Sequence, residues 1–107
     1  VNVSSIGGRR GRTERSAYRA AKAGVLNFTE SLSDEVKQEG INVNAVCPAG
    51  VATEMVRQTL PGRDPSTLMS PEEIASVVVF LASSEASALH GAVIDAFGNA
   101  TGIRAGA

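Results

Sequence analysis

The sequence has almost none of the residues from which disulfides and metal sites are built. Its 107 residues include one cysteine, Cys47, and one histidine, His90. A single cysteine excludes an internal disulfide framework, and these two side chains alone do not make a metal site. No apolar run approaches the roughly 20 residues of a membrane span, and no signal peptide opens the chain. We therefore expect a cytoplasmic protein without a metal or a membrane partner.

The charge balance excludes a general attraction to polyanions. Ten basic and eleven acidic residues give a net charge of −1, and 43% of the residues are hydrophobic. This composition is globular, and its balance gives no reason to expect nucleic-acid binding. The length is enough for one small domain.

Hydrophobic periodicity and capping residues predict alternating strands and helices. Three short strands are expected, over residues 1–5, 41–47 and 91–96. Between the first two, a flexible Gly/Arg loop over residues 7–15 leads into a long helix over residues 17–39. Ser16 is the expected N-cap of this helix and Gly40 its C-cap. The helix is predicted to bury one stripe, formed by Val25, Phe28, Leu32 and Val36.

A second helix begins with a clear capping signal. Ser70 is followed by Pro71 and, three residues on, by Glu73, which is the residue order of a capped helix start. We expect this helix to run to about Ala82, with four residues inward: Ile74, Val77, Val78 and Leu81. A short helix is also predicted over residues 54–60. Strands and helices that alternate in this way form a parallel α/β sheet with right-handed crossovers.

Ser5, Tyr18 and Lys22 are the candidate catalytic residues. Tyr18 and Lys22 lie one helical turn apart on the same face. An ammonium beside a phenol favours the phenolate, so Tyr18 becomes a usable proton donor or acceptor. A serine hydroxyl ahead of the helix can hold a substrate oxygen against the phenol. Tyr-x-x-x-Lys alone is weak, because an ordinary exposed pair at this spacing contributes only about 0.2–0.5 kcal/mol.

The order Ser5, Tyr18, Lys22 resembles the active site of the short-chain dehydrogenase/reductase family. The segment from Asn42 to Met55 resembles the family's second signature, in which a strand ends in Pro-Gly and a threonine follows. Here Ala49 follows Pro48, and Gly50 comes one place later. The late helix and the last strand are similar too, although Ala96-Phe97-Gly98-Asn99 replaces the usual Val-Asp-Gly-Gly ending. Four such segments in family order are far more specific than any one of them.

The resemblance implies a fold, a cofactor and residue roles. The fold is a three-layer doubly wound parallel sheet of the Rossmann type, with residues 1–107 as the C-terminal part of a single domain. The implied reaction passes a hydride between NAD or NADP and an alcohol/carbonyl substrate. Tyr18 is then the general acid/base, Ser5 orients the substrate oxygen, and Lys22 supports Tyr18 and bonds the nicotinamide ribose. The implied cofactor contacts are Tyr18, Lys22, Pro48, Gly50, Val51 and Thr53.

Two alternatives stay open. The segment lacks the Gly-x-Gly-x-x-Gly turn that receives a dinucleotide pyrophosphate, so the chain could be a non-catalytic structural or interaction module. The arginine cluster formed by Arg9, Arg10, Arg12 and Arg15 could meet an anionic substrate or be a solvated loop, and we favour the loop because loops often carry charge. The resemblance also implies a homodimer or homotetramer, paired through helix 17–39 and strand 92–96.

Overall fold

Three short parallel strands form the sheet in the computed structural model, which describes residues 1–59, 62 and 65–99. The strands are β1 (Asn2–Val3), β2 (Ala45–Pro48) and β3 (Val93–Ala96), in the order β1-β2-β3. Asn2 pairs with Ala45, and Ala45 pairs in turn with Val93. The prediction of a parallel α/β sheet is confirmed. Each strand is shorter than predicted: β1 has two residues, and β2 and β3 have four each.

The helices begin and end close to their predicted positions. They are α1 (Ser16–Val36), α2 (Glu54–Thr59) and α3 (Pro71–Ala82), with 3-10 turns at Ile6–Gly8, Lys37–Glu39, Pro65–Thr67 and Ser84–Ala86. Gly40 ends the long helical segment with a φ of 77°, as predicted for a glycine cap. The predicted N-cap is wrong, since Arg15 holds the N-cap position and Ser16 is already helical. Residue 60 and the tail beyond residue 99 lie outside the described residues.

The core is centred on β2. All four of its residues are buried, and Val46 and Cys47 have no exposed surface. Because neighbouring side chains in a strand point to opposite faces, this pattern means that β2 is covered on both faces. Such a strand is a rigid base for the loop that follows it.

The helix α1 packs on the sheet through short polar side chains. Thr29 and Ser33 are buried, whereas Phe28 is 57% exposed, so the prediction that Phe28 faces the core is wrong. The amide of Asn2 in β1 donates to the Thr29 hydroxyl at 3.0 Å, and that hydroxyl donates to the Val25 carbonyl at 2.7 Å. These bonds bring Thr29 to the sheet and turn Phe28, 100° around the helix, away from it.

The capping box of α3 forms as predicted. The Ser70 hydroxyl accepts from the Glu73 N–H at 3.2 Å, and the Glu73 carboxylate accepts from the Ser70 N–H at 2.9 Å. Leu81 is buried, and the other three residues of its predicted inward face are half-buried. Among the described residues, no helix has both the length and the apolar surface needed to cross a bilayer.

Two asparagines before β2 hold the segment that leads into β3. Asn44 is 2% exposed; its amide donates to the Leu89 carbonyl at 3.0 Å, and its side-chain oxygen accepts from the Ala92 N–H at 2.9 Å. Asn42 donates to three carbonyls of the same segment, those of Ala86, Ser87 and Leu89. Asn44 therefore fixes the start of β3 from inside the protein.

We expect Asn44→Ala to lower the free energy of unfolding by about 1–3 kcal/mol, because it removes the acceptor of the Ala92 N–H and one of the two amide donors to the Leu89 carbonyl. Urea-induced unfolding measures the change. Asn27→Ala is the matched control, since Asn27 is exposed on α1 and alanine is the better helix former there. Equal stability of the two variants would contradict the role of Asn44.

Candidate functional site

Ser5 is the second residue after β1, and it caps the turn that follows. Its hydroxyl oxygen accepts from the Gly7 N–H at 3.0 Å, which begins the 3-10 turn Ile6–Gly8. A serine hydroxyl has one proton to donate and two lone pairs. The bond to Gly7 uses a lone pair and orients the oxygen. The hydroxyl proton can therefore be donated to another oxygen, such as that of a substrate.

Tyr18 and Lys22 face the same side of α1. The Lys22 Nζ lies 5.7 Å from the centroid of the Tyr18 ring, and both residues are half-buried. A Cβ placed on Gly7 would stand 3.3 Å from Cε1 of Tyr18 and 3.5 Å from Oγ of Ser5. Ser5 and Tyr18 thus meet at Gly7, which has no side chain to separate them, and the Lys22 ammonium lies near the Tyr18 ring.

The turn after Ser5 is packed against α1 and is not the flexible loop that we predicted. A Cβ on Gly8 would lie 2.7 Å from the Lys22 carbonyl oxygen, so only glycine fits there. Buried Ser4 donates its hydroxyl proton to the same carbonyl at 2.7 Å. Sequence analysis did not identify Ser4 or Gly8 as part of the site. The available signal was the small residues close to Ser5, with Ser4 directly before it and Gly8 three positions after it.

The predicted cofactor contacts lie at the carboxyl end of β2. Pro48 is the last residue of that strand, and Ser5 follows its parallel neighbour β1, so both stand at the same edge of the sheet. Ligands of open α/β sheets bind outside this edge. The structure therefore brings the predicted cofactor contacts after β2 to the same edge of the sheet as the candidate catalytic residue Ser5.

The residues before and after Val51 both form backbone hydrogen bonds with Met69. The Gly50 carbonyl accepts from the Met69 N–H at 3.0 Å, and the Ala52 N–H donates to the Met69 carbonyl at 2.8 Å. In a parallel bridge of this kind the central residue directs its own N–H to the opposite side. The Gly50 carbonyl and the Ala52 N–H are therefore bonded to Met69, whereas the N–H of Val51 points away from it. The Thr53 N–H donates to the Val51 carbonyl at 2.8 Å and closes a tight turn.

One arginine of the predicted cluster has a structural role. The Arg9 Nε donates to the Asp95 carboxylate at 2.9 Å and so ties the loop after β1 to β3. Between these strands lies Cys47, whose pKa is raised by burial; the Arg9 guanidinium opposes the shift, and the Asp95 carboxylate adds to it. Cys47 is thus a packed thiol of low reactivity and not a nucleophile.

Sequence comparison finds relatives among dehydrogenases and reductases. Residues 1–98 match the family model described as enoyl-(acyl carrier protein) reductase. The chain is 45% identical to acetoacetyl-CoA reductase of Shinella zoogloeoides, over 92% of the chain and 44% of that protein. It is 41% identical to the 3-oxoacyl-[acyl-carrier-protein] reductase FabG of Vibrio harveyi, over 85% of the chain and 41% of that protein. The chain therefore spans less than half the length of these curated relatives.

Solved structures give the same result. Levodione reductase superposes with a TM-score of 0.81 at 33% identity, over 91% of this chain and 44% of that one. A short-chain dehydrogenase from Escherichia coli CFT073, complexed with NADPH, gives 0.78 at 31% identity, over 87% of this chain and 38% of that one. A 4-hydroxyisoleucine dehydrogenase complexed with NADH also gives 0.78, at 27% identity over 94% and 44%.

We expect Gly8→Ala to destabilise the protein by about 1–3 kcal/mol, because the new methyl group meets the Lys22 backbone and pushes α1 away from the turn. Thermal unfolding measures the effect. Gly11→Ala is the matched control, since a Cβ at Gly11 meets nothing within 4 Å. Equal stability of the two variants would show that the turn and α1 are not in close contact.

We expect Cys47 to make stability fall at alkaline pH. Its ordinary pKa is 9.0 and burial raises it, so above pH 9 the folded chain keeps a proton that the unfolded chain loses. The stabilisation is complete below pH 9 and is lost as pH rises through the folded pKa. Urea-induced unfolding between pH 8 and 10 should show a steeper loss for the native sequence than for Cys47→Ala. Equal slopes would mean that the thiol titrates normally.

Proposed function

Because the chain belongs to the short-chain dehydrogenase/reductase family, we propose that it carries the catalytic half of an NAD(P)-dependent oxidoreductase that interconverts an alcohol and a carbonyl compound. The observation that carries the proposal is the convergence of Ser5 and Tyr18 on Gly7, with the Lys22 ammonium 5.7 Å from the Tyr18 ring. A phenol, a hydroxyl donor and a cation in one place are the groups that proton transfer to a carbonyl oxygen requires.

The residues at this sheet edge fit the nicotinamide end of a dinucleotide. The outward N–H of Val51 can donate to a carboxamide oxygen, and Lys22 can donate to ribose hydroxyls. Pro48, Gly50 and Thr53 shape the turn that presents Val51, and the Tyr18 hydroxyl completes the set. When bound, the dinucleotide supplies or accepts the hydride. Because its pyrophosphate turn is absent from these 107 residues, the complete site requires the rest of a larger domain.

In the direction of reduction, the chain's residues handle the proton. Ser5 donates a hydrogen bond to the carbonyl oxygen and orients it toward Tyr18. With the hydride supplied by a bound dinucleotide, the Tyr18 hydroxyl would give its proton to that oxygen, and the product would be the alcohol. The nearby Lys22 ammonium stabilises the phenolate that remains until solvent returns the proton. In oxidation the same phenolate removes the alcohol proton.

The first substrate class to examine is the 3-oxoacyl thioester. Acetoacetyl-CoA reductase and 3-oxoacyl-[acyl-carrier-protein] reductase are named for such compounds, and both are at least 41% identical to this chain. Their ketone carbonyl meets the requirement of the Ser5–Tyr18 pair. We further propose that residues 1–107 are part of one cofactor-binding domain, which assembles as a homodimer or homotetramer through α1 and β3.

A non-catalytic structural module is the second candidate. It is favoured by one observation: Val3 in the edge strand β1 is 49% exposed, which leaves an apolar side chain at the edge of the sheet open to a further partner. The intact mass of the purified, denatured polypeptide separates the two. A mass near 11.0 kDa favours the module, whereas a mass of about twice that or more favours the enzyme.

We expect Tyr18→Phe in the complete enzyme to reduce turnover by about 10²–10⁴-fold, the usual contribution of a general acid. Cofactor binding, measured by nucleotide fluorescence, should persist. Lys22→Met should weaken both turnover and cofactor binding, because one ammonium serves both. Lys37→Met is the matched control, since Lys37 is exposed beyond the far end of α1 and pairs with Asp34. Retained turnover in Tyr18→Phe would overturn the proposal.

A further inference from the structure

A cation lies against the ring of the proposed proton donor. The guanidinium carbon of Arg15 stands 4.1 Å from the centroid of the Tyr18 ring. Arg15 is an exposed residue, and its guanidinium group packs over the phenol ring. The loop is exposed to solvent, as the sequence predicted, and Arg15 at its end brings a positive charge beside Tyr18.

The backbone around Arg15 is held in an unusual conformation. Glu14 and Arg15 have φ angles of 66° and 59°, in the left-handed region that side-chain-bearing residues rarely adopt. Two consecutive residues of this kind persist only where the surroundings impose them, and such strain is concentrated at functional sites. Here it serves to place Arg15 over the ring of Tyr18.

Further positive charge surrounds Arg15. Residues 9–19 contain five arginines and one acidic residue, in a chain whose net charge is −1. The ion pair with Asp95 neutralises Arg9. Arg19, in contrast, donates to the backbone carbonyl of Arg10 at 3.0 Å, a neutral partner that fixes the loop and leaves the charge of Arg19 uncompensated. The side chain of Arg10 is exposed on the same loop.

We propose that Arg15, supported by Arg10 and Arg19, binds a negatively charged group of the substrate beside Tyr18, so that the enzyme selects anionic carbonyl compounds. The inference rests on the proposed function and adds its substrate class. A guanidinium provides the planar, charged donors that carboxylates and phosphates accept from. The anion can be a carboxylate on the carbonyl compound or the phosphates of a thioester carrier, and the test separates these two sources.

The test compares charged and neutral substrates that carry the same reacting carbonyl group, in the complete enzyme. One pair is acetoacetyl-CoA and the neutral acetoacetyl-N-acetylcysteamine thioester. The other pair is 4-oxocyclohexanecarboxylate and its methyl ester. The readout is the ratio of kcat/KM for the charged member to that for the neutral member, because a general disturbance of Tyr18 lowers both values and cancels in the ratio.

Arg15→Gln should lower this ratio about tenfold in at least one pair, a loss of about 1.4 kcal/mol of selective transition-state binding. The first pair reports phosphate recognition, and the second reports carboxylate recognition. Lys37→Gln is the matched control, since it removes the same charge roughly 25–30 Å along the helix from Tyr18. It should leave both ratios within twofold of the native values. Unchanged ratios for Arg15→Gln, however far both rates fall, overturn the inference.

Binding separates this inference from the proposed function. If the native enzyme turns over neither pair, the proposed function fails. Titration calorimetry of acetoacetyl-CoA and of 4-oxocyclohexanecarboxylate then decides the role of Arg15. A dissociation constant that rises about tenfold in Arg15→Gln for either compound supports anion binding. No dependence on Arg15, or no binding of either compound, overturns it.

Discussion

The close contact between the turn Ile6–Gly8 and the backbone of α1 is the constraint on which the site depends. At Gly8 the two backbones approach so closely that a Cβ would stand 2.7 Å from the Lys22 carbonyl. Ser4 seals the contact with its hydrogen bond to the same carbonyl. Because Ser5 opens the turn and Tyr18 lies one helical turn before Lys22, this contact sets the distance between the two hydroxyl groups.

The sheet gives this contact a rigid base. The strand β2 is buried on both faces, and the polar groups next to it are used internally: Asn44 holds the entry to β3, and Thr29 joins α1 to β1. The candidate ligand-binding groups lie at the carboxyl edge, where the strands end. The Met69 bridge carries this order into the loop after Pro48 and turns the N–H of Val51 outward. In open α/β sheets the packed interior provides stability, and ligands bind outside the carboxyl ends of the strands.

Charge is distributed unevenly along that edge. Arg9 is neutralised by Asp95 above buried Cys47, so it ties two strands together. Arg15 and Arg19 direct their guanidinium groups at an aromatic ring and a carbonyl, which leaves the positive charge in place. One short segment thus contains an arginine in a structural ion pair, Arg9, and two arginines that keep their positive charge, Arg15 and Arg19. The sequence pattern alone does not distinguish these two kinds of arginine.

Local signals determined much of the secondary structure. The capping box at Ser70, the glycine cap at Gly40 and the order of strands and helices were all predictable, because each depends on residues within about four positions of one another. Errors came where a distant partner decided the outcome. Phe28 has the spacing of a core residue, but the bond between Asn2 and Thr29 turns the Thr29 face of α1 toward the sheet. Phe28 therefore faces solvent. The error at Ser16 is of another kind, since the adjacent Arg15, with a left-handed backbone, takes the N-cap position.

The sequence by itself determined the spacing of Ser5, Tyr18 and Lys22 and the parallel α/β order of the chain. Only the tertiary structure decided that Gly7 and Gly8 pack against α1, that Arg15 lies over Tyr18, and that Val51 turns its N–H from Met69. The physical reason is the reach of the interactions. Helix spacing and caps act within one turn, whereas contacts such as those between Gly8 and Lys22 or between Arg9 and Asp95 exist only after the strands have paired.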